Sequence, residues 1–121
     1  MAYSPSDGEF VRELLAELGP LTIKRMFGAA GVYLADGLMF GIIDDGVFYL
    51  RTDELNLADM QAAGAQQFTY PGKDGEPHGT SYWSLPDRAV DDADEAVRWS
   101  RRAIEASRRK VGPKRKKKYG S

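Results

Sequence analysis

The stretch GVYLADGLMFGIIDDGVFYLR, residues 31–51, holds two aspartate-glycine pairs, Asp36-Gly37 and Asp45-Gly46, each set between apolar runs. A tight hairpin turn needs positive φ, which glycine adopts at little steric cost, so Asp-Gly between apolar runs signals a hairpin. Two such turns in succession predict an antiparallel meander with strands at residues 39–43 and 47–51, preceded by one extended stretch at residues 23–27 and 31–34. Within that first stretch, Gly28-Ala29-Ala30-Gly31 lacks the G-x-x-x-x-G-K-[ST] pattern of a phosphate-binding loop, and it leads into Val32-Tyr33-Leu34, a strand, where a dinucleotide fingerprint would open a helix. It reads as a glycine-bearing bend or bulge that lets one long strand curve over a helix.

Upstream of the meander, Ser4-Pro5-Ser6-Asp7 supplies hydroxyl caps, a proline for the first turn and an acid for the positive end of a helix dipole. Phe10, Val11, Leu14, Leu15 and Leu18 recur at helical spacing until Gly19-Pro20, which predicts an amphipathic helix over residues 5–18. Downstream, Thr52-Asp53-Glu54 reads as the cap of a short helix with Leu57, Met60 and Ala63 on one face and Gly64 closing it. Residues 67–70 and 78–85 are two further strands around the turn Gly72-Lys73-Asp74-Gly75, the second ended by Pro86. Asp91 or Asp92 caps a last helix, whose stripe for burial is Ala93, Ala96, Val97, Ser100, Ala103, Ile104 and Ser107, with Trp99 at its edge. The order α-β-β-β-α-β-β-α gives an α+β fold in two layers, helices packed on one antiparallel sheet.

A chain of 121 residues with 42% hydrophobic residues makes one domain with a small core. Having no cysteine, it has no disulfide framework, thiolate metal site or thiol nucleophile. Residues 1–15 carry Asp7, Glu9 and Glu13 and no apolar run, unlike a secretory signal, and no stretch approaches the roughly 18–20 apolar residues of a membrane span. The expectation is a cytoplasmic protein.

The net charge of −1 conceals a division along the chain. Arg108, Arg109, Lys110, Lys114, Arg115, Lys116, Lys117 and Lys118 bring eight positive charges without one acid, leaving nine basic against eighteen acidic residues in the rest. Gly112-Pro113 interrupts any helix running into this segment. The division expected is a folded domain at residues 1–107 and a flexible basic tail at 108–121. Such a tail can hold a phosphate backbone without reading sequence, keep the chain soluble, or fold back on the acidic body.

Catalytic patterns are weak throughout. His78 is the sole histidine, beside a turn, so neither a metal site nor a positioned acid/base pair forms around it from sequence, and a surface histidine is the simpler reading. Asp44 and Asp45 are adjacent, their side chains diverge, and a turn role accounts for them. Ser81, Ser84 and Ser100 lack a histidine at a telling interval and sit in no G-x-S-x-G elbow. Aromatic residues occupy nearly every strand, from Phe27 to Trp83, but few lysines or arginines accompany them, so core packing with tyrosine hydroxyls at the rim outranks base stacking. The chain is expected to be no enzyme and to need no cofactor.

Several segments together resemble the N-terminal domain of the TfoX/Sxy proteins: Arg25-Met26-Phe27-Gly28-Ala29-Ala30-Gly31-Val32-Tyr33, Asp36-Gly37-Leu38-Met39-Phe40, Phe48-Tyr49-Leu50-Arg51, Phe68-Thr69-Tyr70 and Ser81-Tyr82-Trp83-Ser84-Leu85-Pro86. The similarity extends over about residues 10–108. It implies a two-layer α+β domain with the element order read above, and a link to the regulation of competence genes, in which members act as coactivator-like regulators and not as enzymes. Full-length regulators of that family carry a further helical domain, in whose place this chain has its basic tail. The positions that carry the resemblance, Met26, Phe27, Gly28, Gly31, Tyr33, Asp36, Gly37, Phe40, Tyr49, Tyr82 and Pro86, are read as structural.

The function expected is thus a small regulatory or protein-interaction module with a protein partner. The alternative is a nucleic-acid-associated protein that binds phosphate through the tail. A homodimer through an edge strand or the outer sheet face is open to such a domain.

Overall fold

The computed structural model describes the backbone of residues 2–120 and the side chains of residues 2–112. Six strands form one antiparallel sheet in the order β1-β2-β3-β4-β6-β5. They are β1 Leu21–Met26, β2 Ala29–Leu34, β3 Met39–Asp44, β4 Val47–Arg51, β5 Gln67–Pro71 and β6 Pro77–Ser84. Helices α1 Pro5–Leu14, α2 Leu57–Ala62 and α3 Ala93–Gly120 join them, with 3₁₀ turns at Ala16–Leu18 and Asp87–Ala89. The α+β class and the layering of helices on one sheet agree with the sequence reading.

Four strands precede α2 where the sequence reading placed three. The extended stretch at residues 23–34 is two strands, because Phe27 and Gly28 both adopt positive φ, 51° and 85°, and Met26 pairs directly with Ala29. Two consecutive left-handed residues reverse the chain in the same way that Asp45 and Gly46, at 52° and 76°, join β3 to β4. The segment is therefore a hairpin turn and not a bend. Phenylalanine is a poor residue for that conformation, which is why the pattern hides the turn.

A bulge in β3 sets which residues reach the core. Val32 pairs with Gly41 but Tyr33 pairs with Met39, so Phe40 is the extra residue. The insertion shifts the alternation, and Phe40 and Ile43 both join the helix-covered core while Met39 and Ile42 pack on the opposite face. Gly41 leaves room beneath: a Cβ there would stand 2.5 Å from the Phe48 ring and 3.0 Å from the Tyr49 carbonyl oxygen. In β4 the alternation is regular, with Phe48 and Leu50 inward and Tyr49 turned away.

Helix α3 lies across β3 and β4. Small residues at Ala96, Ser100, Ala103 and Ser107 form its buried stripe and allow a close approach to the sheet. Ala93 is exposed, unlike the rest of the expected stripe, whereas Trp99, placed at the edge by sequence, is 8% exposed and donates from Nε1 to Glu95 at 3.2 Å. Helical conformation breaks at Gly112, where φ is 40° and ψ −156°.

The first helix is shorter than predicted, ending at Leu14 before the 3₁₀ turn; it buries Val11, its C-cap Leu15 is buried as well, and Phe10 is left 49% exposed. The N-cap position of α2 is buried Asn56, which makes no side-chain hydrogen bond to the helix, and within the Thr52-Asp53-Glu54 run Asp53 caps the preceding turn, its Oδ1 accepting from the Leu55 N–H at 2.9 Å. Asn56 Oδ1 accepts from the Asp53 N–H at 2.8 Å, and its Nδ2 donates to the Arg51 carbonyl at 3.2 Å. Asp44 does more than form a turn. It is buried and accepts from the Ala2 N–H at 2.8 Å, while the Asp45 N–H donates to the Ala2 carbonyl at 2.6 Å, tying the N-terminal segment to the sheet.

Candidate recognition groove on the open sheet face

The three helices contribute to a single core on one face of the sheet, together with Val32, Phe40, Ile43 and Leu50. The other face carries a separate cluster built from strands alone, Ala29, Ile42, Phe68 and Tyr82, with Met39 and Tyr49 against it. A sheet with one helix-covered face normally presents polar side chains on the other. Here that face is apolar over a groove of about 530 Å³ between the β1–β2 hairpin and the β5–β6 pair.

Its walls follow from local geometry. The Phe27-Gly28 turn carries Met26 and Phe27 to one rim, and the Phe27 ring is 90% exposed. Tyr70 and Pro71, at the end of β5, form the opposite rim, with Tyr70 43% exposed and stacked on His78 at 5.8 Å between ring centroids. Phe68 packs at 4.9 Å against Tyr49. Thr80 holds β6 in line by donating from Oγ1 to the Phe68 carbonyl at 2.9 Å and accepting from the Tyr82 N–H at 3.1 Å.

Arg51 and Tyr82 face each other across β4 and β6, as paired residues in the register. The guanidinium sits over the phenol ring, 4.8 Å from its centroid, a cation–π contact. Among the described residues, Arg51 Nε and the Tyr82 hydroxyl are both buried without a hydrogen-bond partner. Tyr82 is 7% exposed, and burial pushes its phenol pKa up, partly offset by the Arg51 charge and by the approach of its guanidinium to the hydroxyl. Tyr49 is raised as well, by burial and then by the charges of Asp44 and Asp45. Both phenols hold their protons at neutral pH.

A second groove, of about 600 Å³, lies beside α1 and is rimmed by Phe10, Val47 and Val90, with Asp7 and Asp87 among its walls. Among the described residues, it has no unpartnered buried polar atom of the kind found at Arg51 and Tyr82. Among the described residues, no group of three potential metal ligands converges, and His78 lies in the open with Asp74 at 3.5 Å. No described helix is long and apolar enough to cross a membrane.

The residues singled out from sequence separate into distinct places. Met26, Phe27 and Tyr82 meet in the groove, and Gly28 makes the turn that puts two of them there. Tyr33 carries Lys24 Nζ 5.4 Å from its ring centroid, and a Cβ at Gly31 would press on the Tyr33 ring at 3.0 Å. Tyr49 belongs to the open-face cluster, Phe40 and Pro86 are fully buried, and Asp36 and Gly37 form the predicted turn, in which Asp36 Oδ1 accepts from the Leu38 N–H at 3.1 Å. Arg51, Phe68, Tyr70 and Thr80 complete the groove, and the sequence reading assigned them no site role. Their register, which brings β6 back beside β4 across the intervening β5, joins residues some thirty positions apart.

Of the basic tail residues, Arg108 and Arg109 sit on α3 and face the body: Arg108 pairs with Asp36 at 3.1 Å, and Arg109 makes a two-bond pair with Asp53 at 2.6 and 3.0 Å. Helix α3 runs without a break through the boundary placed at residues 107 and 108. Arg101 with Glu17 and Arg102 with Asp59 extend this series of ties from α3 to the body. The Leu38 N–H and then Arg108 hold the Asp36 carboxyl below its usual range, and Arg109 does the same at Asp53. Lys110 is exposed. Lys114, Arg115, Lys116, Lys117 and Lys118 lie outside the residues whose side chains are described.

The architecture is thus a two-layer α+β domain with one helix-covered and one open, apolar sheet face. The chain matches the TfoX N-terminal domain family over residues 13–107, most of its length, and belongs to that family. No curated protein matches it closely enough to count as a relative.

Proposed function

We propose that the chain is a regulatory protein-interaction module that performs no chemistry of its own and acts in the cytoplasm, docking a protein partner in the groove on its open sheet face. The coactivator-like regulation of competence genes implied by the TfoX resemblance is the setting this reading favours. The observation that carries it is the apolar groove rimmed by Phe27, a large aromatic side chain 90% exposed at the tip of a hairpin. Contiguous apolar surface flanked by polar residues marks interaction sites on soluble proteins. The experiment is capture of partners from cell extract by the intact chain and by Phe27→Glu. Loss of the same captured proteins from the variant, at unchanged melting temperature, supports docking in the groove, and undiminished capture refutes it.

A second reading rests on the eight basic residues of the tail. Through them the chain would bind a nucleic-acid backbone without sequence preference. Because Arg108 and Arg109 already face carboxylates, a polyanion must compete with Asp36 and Asp53 for those two side chains. A chain ending after Lys110 keeps these ties and removes the remaining cluster, which makes it the proper control.

A further inference from the structure

Among the described residues, Arg51 is the one charged residue in the wall of the open-face groove, and no acid stands in that wall. The ion pairs formed among the described residues use other arginines: Arg88, Arg98, Arg101, Arg102, Arg108 and Arg109. A half-buried guanidinium without a carboxylate, beside a buried phenol without an acceptor, is among the described residues an unsatisfied arrangement on a largely apolar surface. Such groups are normally paired when buried, because desolvation is otherwise uncompensated. A ligand that completes the set is one way such an exception is accommodated.

The complement is determined by chemistry. The guanidinium and the protonated phenol are both donors, so the missing group is an acceptor with negative charge, and the planar fork of an arginine suits a carboxylate. The surrounding Met26, Phe27, Ile42, Phe68 and Tyr70 call for an apolar body attached to it. The groove's volume of about 530 Å³ falls within the roughly 300–1,000 Å³ of small-molecule sites, which combine apolar walls with a few placed polar groups.

We propose that the groove binds a small apolar monocarboxylic acid, its carboxylate received by Arg51 and Tyr82 and its hydrocarbon part lying between Phe27 and Phe68. The inference rests on the reading of this groove as the recognition surface and adds that a metabolite of this class occupies it and competes with the docked partner. The carboxylate supplies the guanidinium with its counter-charge and the phenol with its acceptor, while the chain or ring of the acid covers apolar surface that is otherwise open.

The test is titration of the ¹⁵N-labelled intact chain with octanoate, 1-octanol and octylammonium, followed by amide chemical shifts. Octanoate is expected to produce saturable shifts at millimolar concentration or below, centred on Phe27, Arg51, Phe68 and Tyr82, with the core around Leu15 unmoved. Octanol is expected to bind at least tenfold more weakly and octylammonium more weakly still, as the loss of a charge-assisted pair predicts. Arg51→Gln lowers octanoate affinity tenfold or more, and Tyr82→Phe lowers it several-fold while leaving octanol binding unchanged. Thermal unfolding of both variants shows whether they remain folded. Equal binding of octanoate and octanol, or octanoate binding that survives Arg51→Gln, overturns the assignment of the carboxylate. Absence of any groove shifts at 10-fold ligand excess into the millimolar range overturns it altogether, whereas partner capture by the intact chain and Phe27→Glu tests the docking reading separately.

Discussion

Replacing Phe27 with asparagine should stabilise the domain and at the same time remove its recognition rim. Phe27 occupies φ 51° in the β1–β2 turn, a left-handed conformation that costs an ordinary L-residue roughly 1–2 kcal/mol and that asparagine visits more readily. The turn would then read Asn-Gly, the favoured pair for a two-residue hairpin. Little is lost in exchange, because the ring is 90% exposed. A tenth of an aromatic side chain's area is about 20 Å², or about 0.5 kcal/mol at 25 cal/mol per Å². The net gain is about 1 kcal/mol, a rise in melting temperature of about 3–5 °C for a domain of this size. Thermal unfolding followed by circular dichroism, with urea unfolding alongside, measures it, and partner capture reports the rim. A stabilised variant that no longer captures partners is the pattern of a residue kept for function against stability. A variant that melts lower than the parent refutes the reasoning, since Phe27 would then be supporting the fold.

Other expectations follow from the same structure. Gly41→Ala places a Cβ 2.5 Å from the Phe48 ring and should destabilise by about 1–3 kcal/mol through overpacking, read as a lower urea midpoint. Asp36, Asp53 and Glu95 all have carboxyl pKa values held below their usual range, chiefly by the Leu38 N–H, by Arg109 and by Arg88 respectively. Groups depressed in the folded state stabilise it above their unfolded pKa of about 4, and that stability is lost as pH falls through the depressed values. Melting temperature should therefore drop from about pH 4.5 downwards, and Asp53→Asn should flatten part of that drop; an unchanged profile would remove Asp53 from the account. For the tail, log K for duplex DNA against log salt should have a slope of about −5 if the Asp36 and Asp53 partners keep Arg108 and Arg109, and of about −7 if all eight cations bind phosphate. Titration across 50–200 mM salt separates the two.

Much of the architecture was legible locally. Asp36-Gly37 and Asp45-Gly46 carry their own backbone preference, so the meander could be read from adjacent residues, and the small stripe of α3 repeats at helical spacing. The turn at Phe27 was not legible because its residue type opposes its conformation. The β3 bulge was not legible either: the two-residue alternation of a strand predicts faces only while the register is unbroken, and here Phe40 interrupts it. Phe10 satisfied the helical period but ended at the surface, since periodicity places a residue on a helix face without saying how far the neighbouring sheet extends beneath it.

The sequence by itself determined the α+β class, the hairpins with glycine turns, the charge division between body and tail, and the membership signalled by the TfoX-like segments. These depend on residue type and short-range spacing, which need no partner to be read. Only the tertiary structure decided that Met26, Phe27, Arg51, Phe68 and Tyr82 share one groove, and that Arg108 and Arg109 are held by Asp36 and Asp53. Those groupings come from strand order and helix packing, in which β6 lies beside β4 and α3 crosses the sheet. No residue encodes such an arrangement alone, because it is the whole set of buried surfaces that selects it.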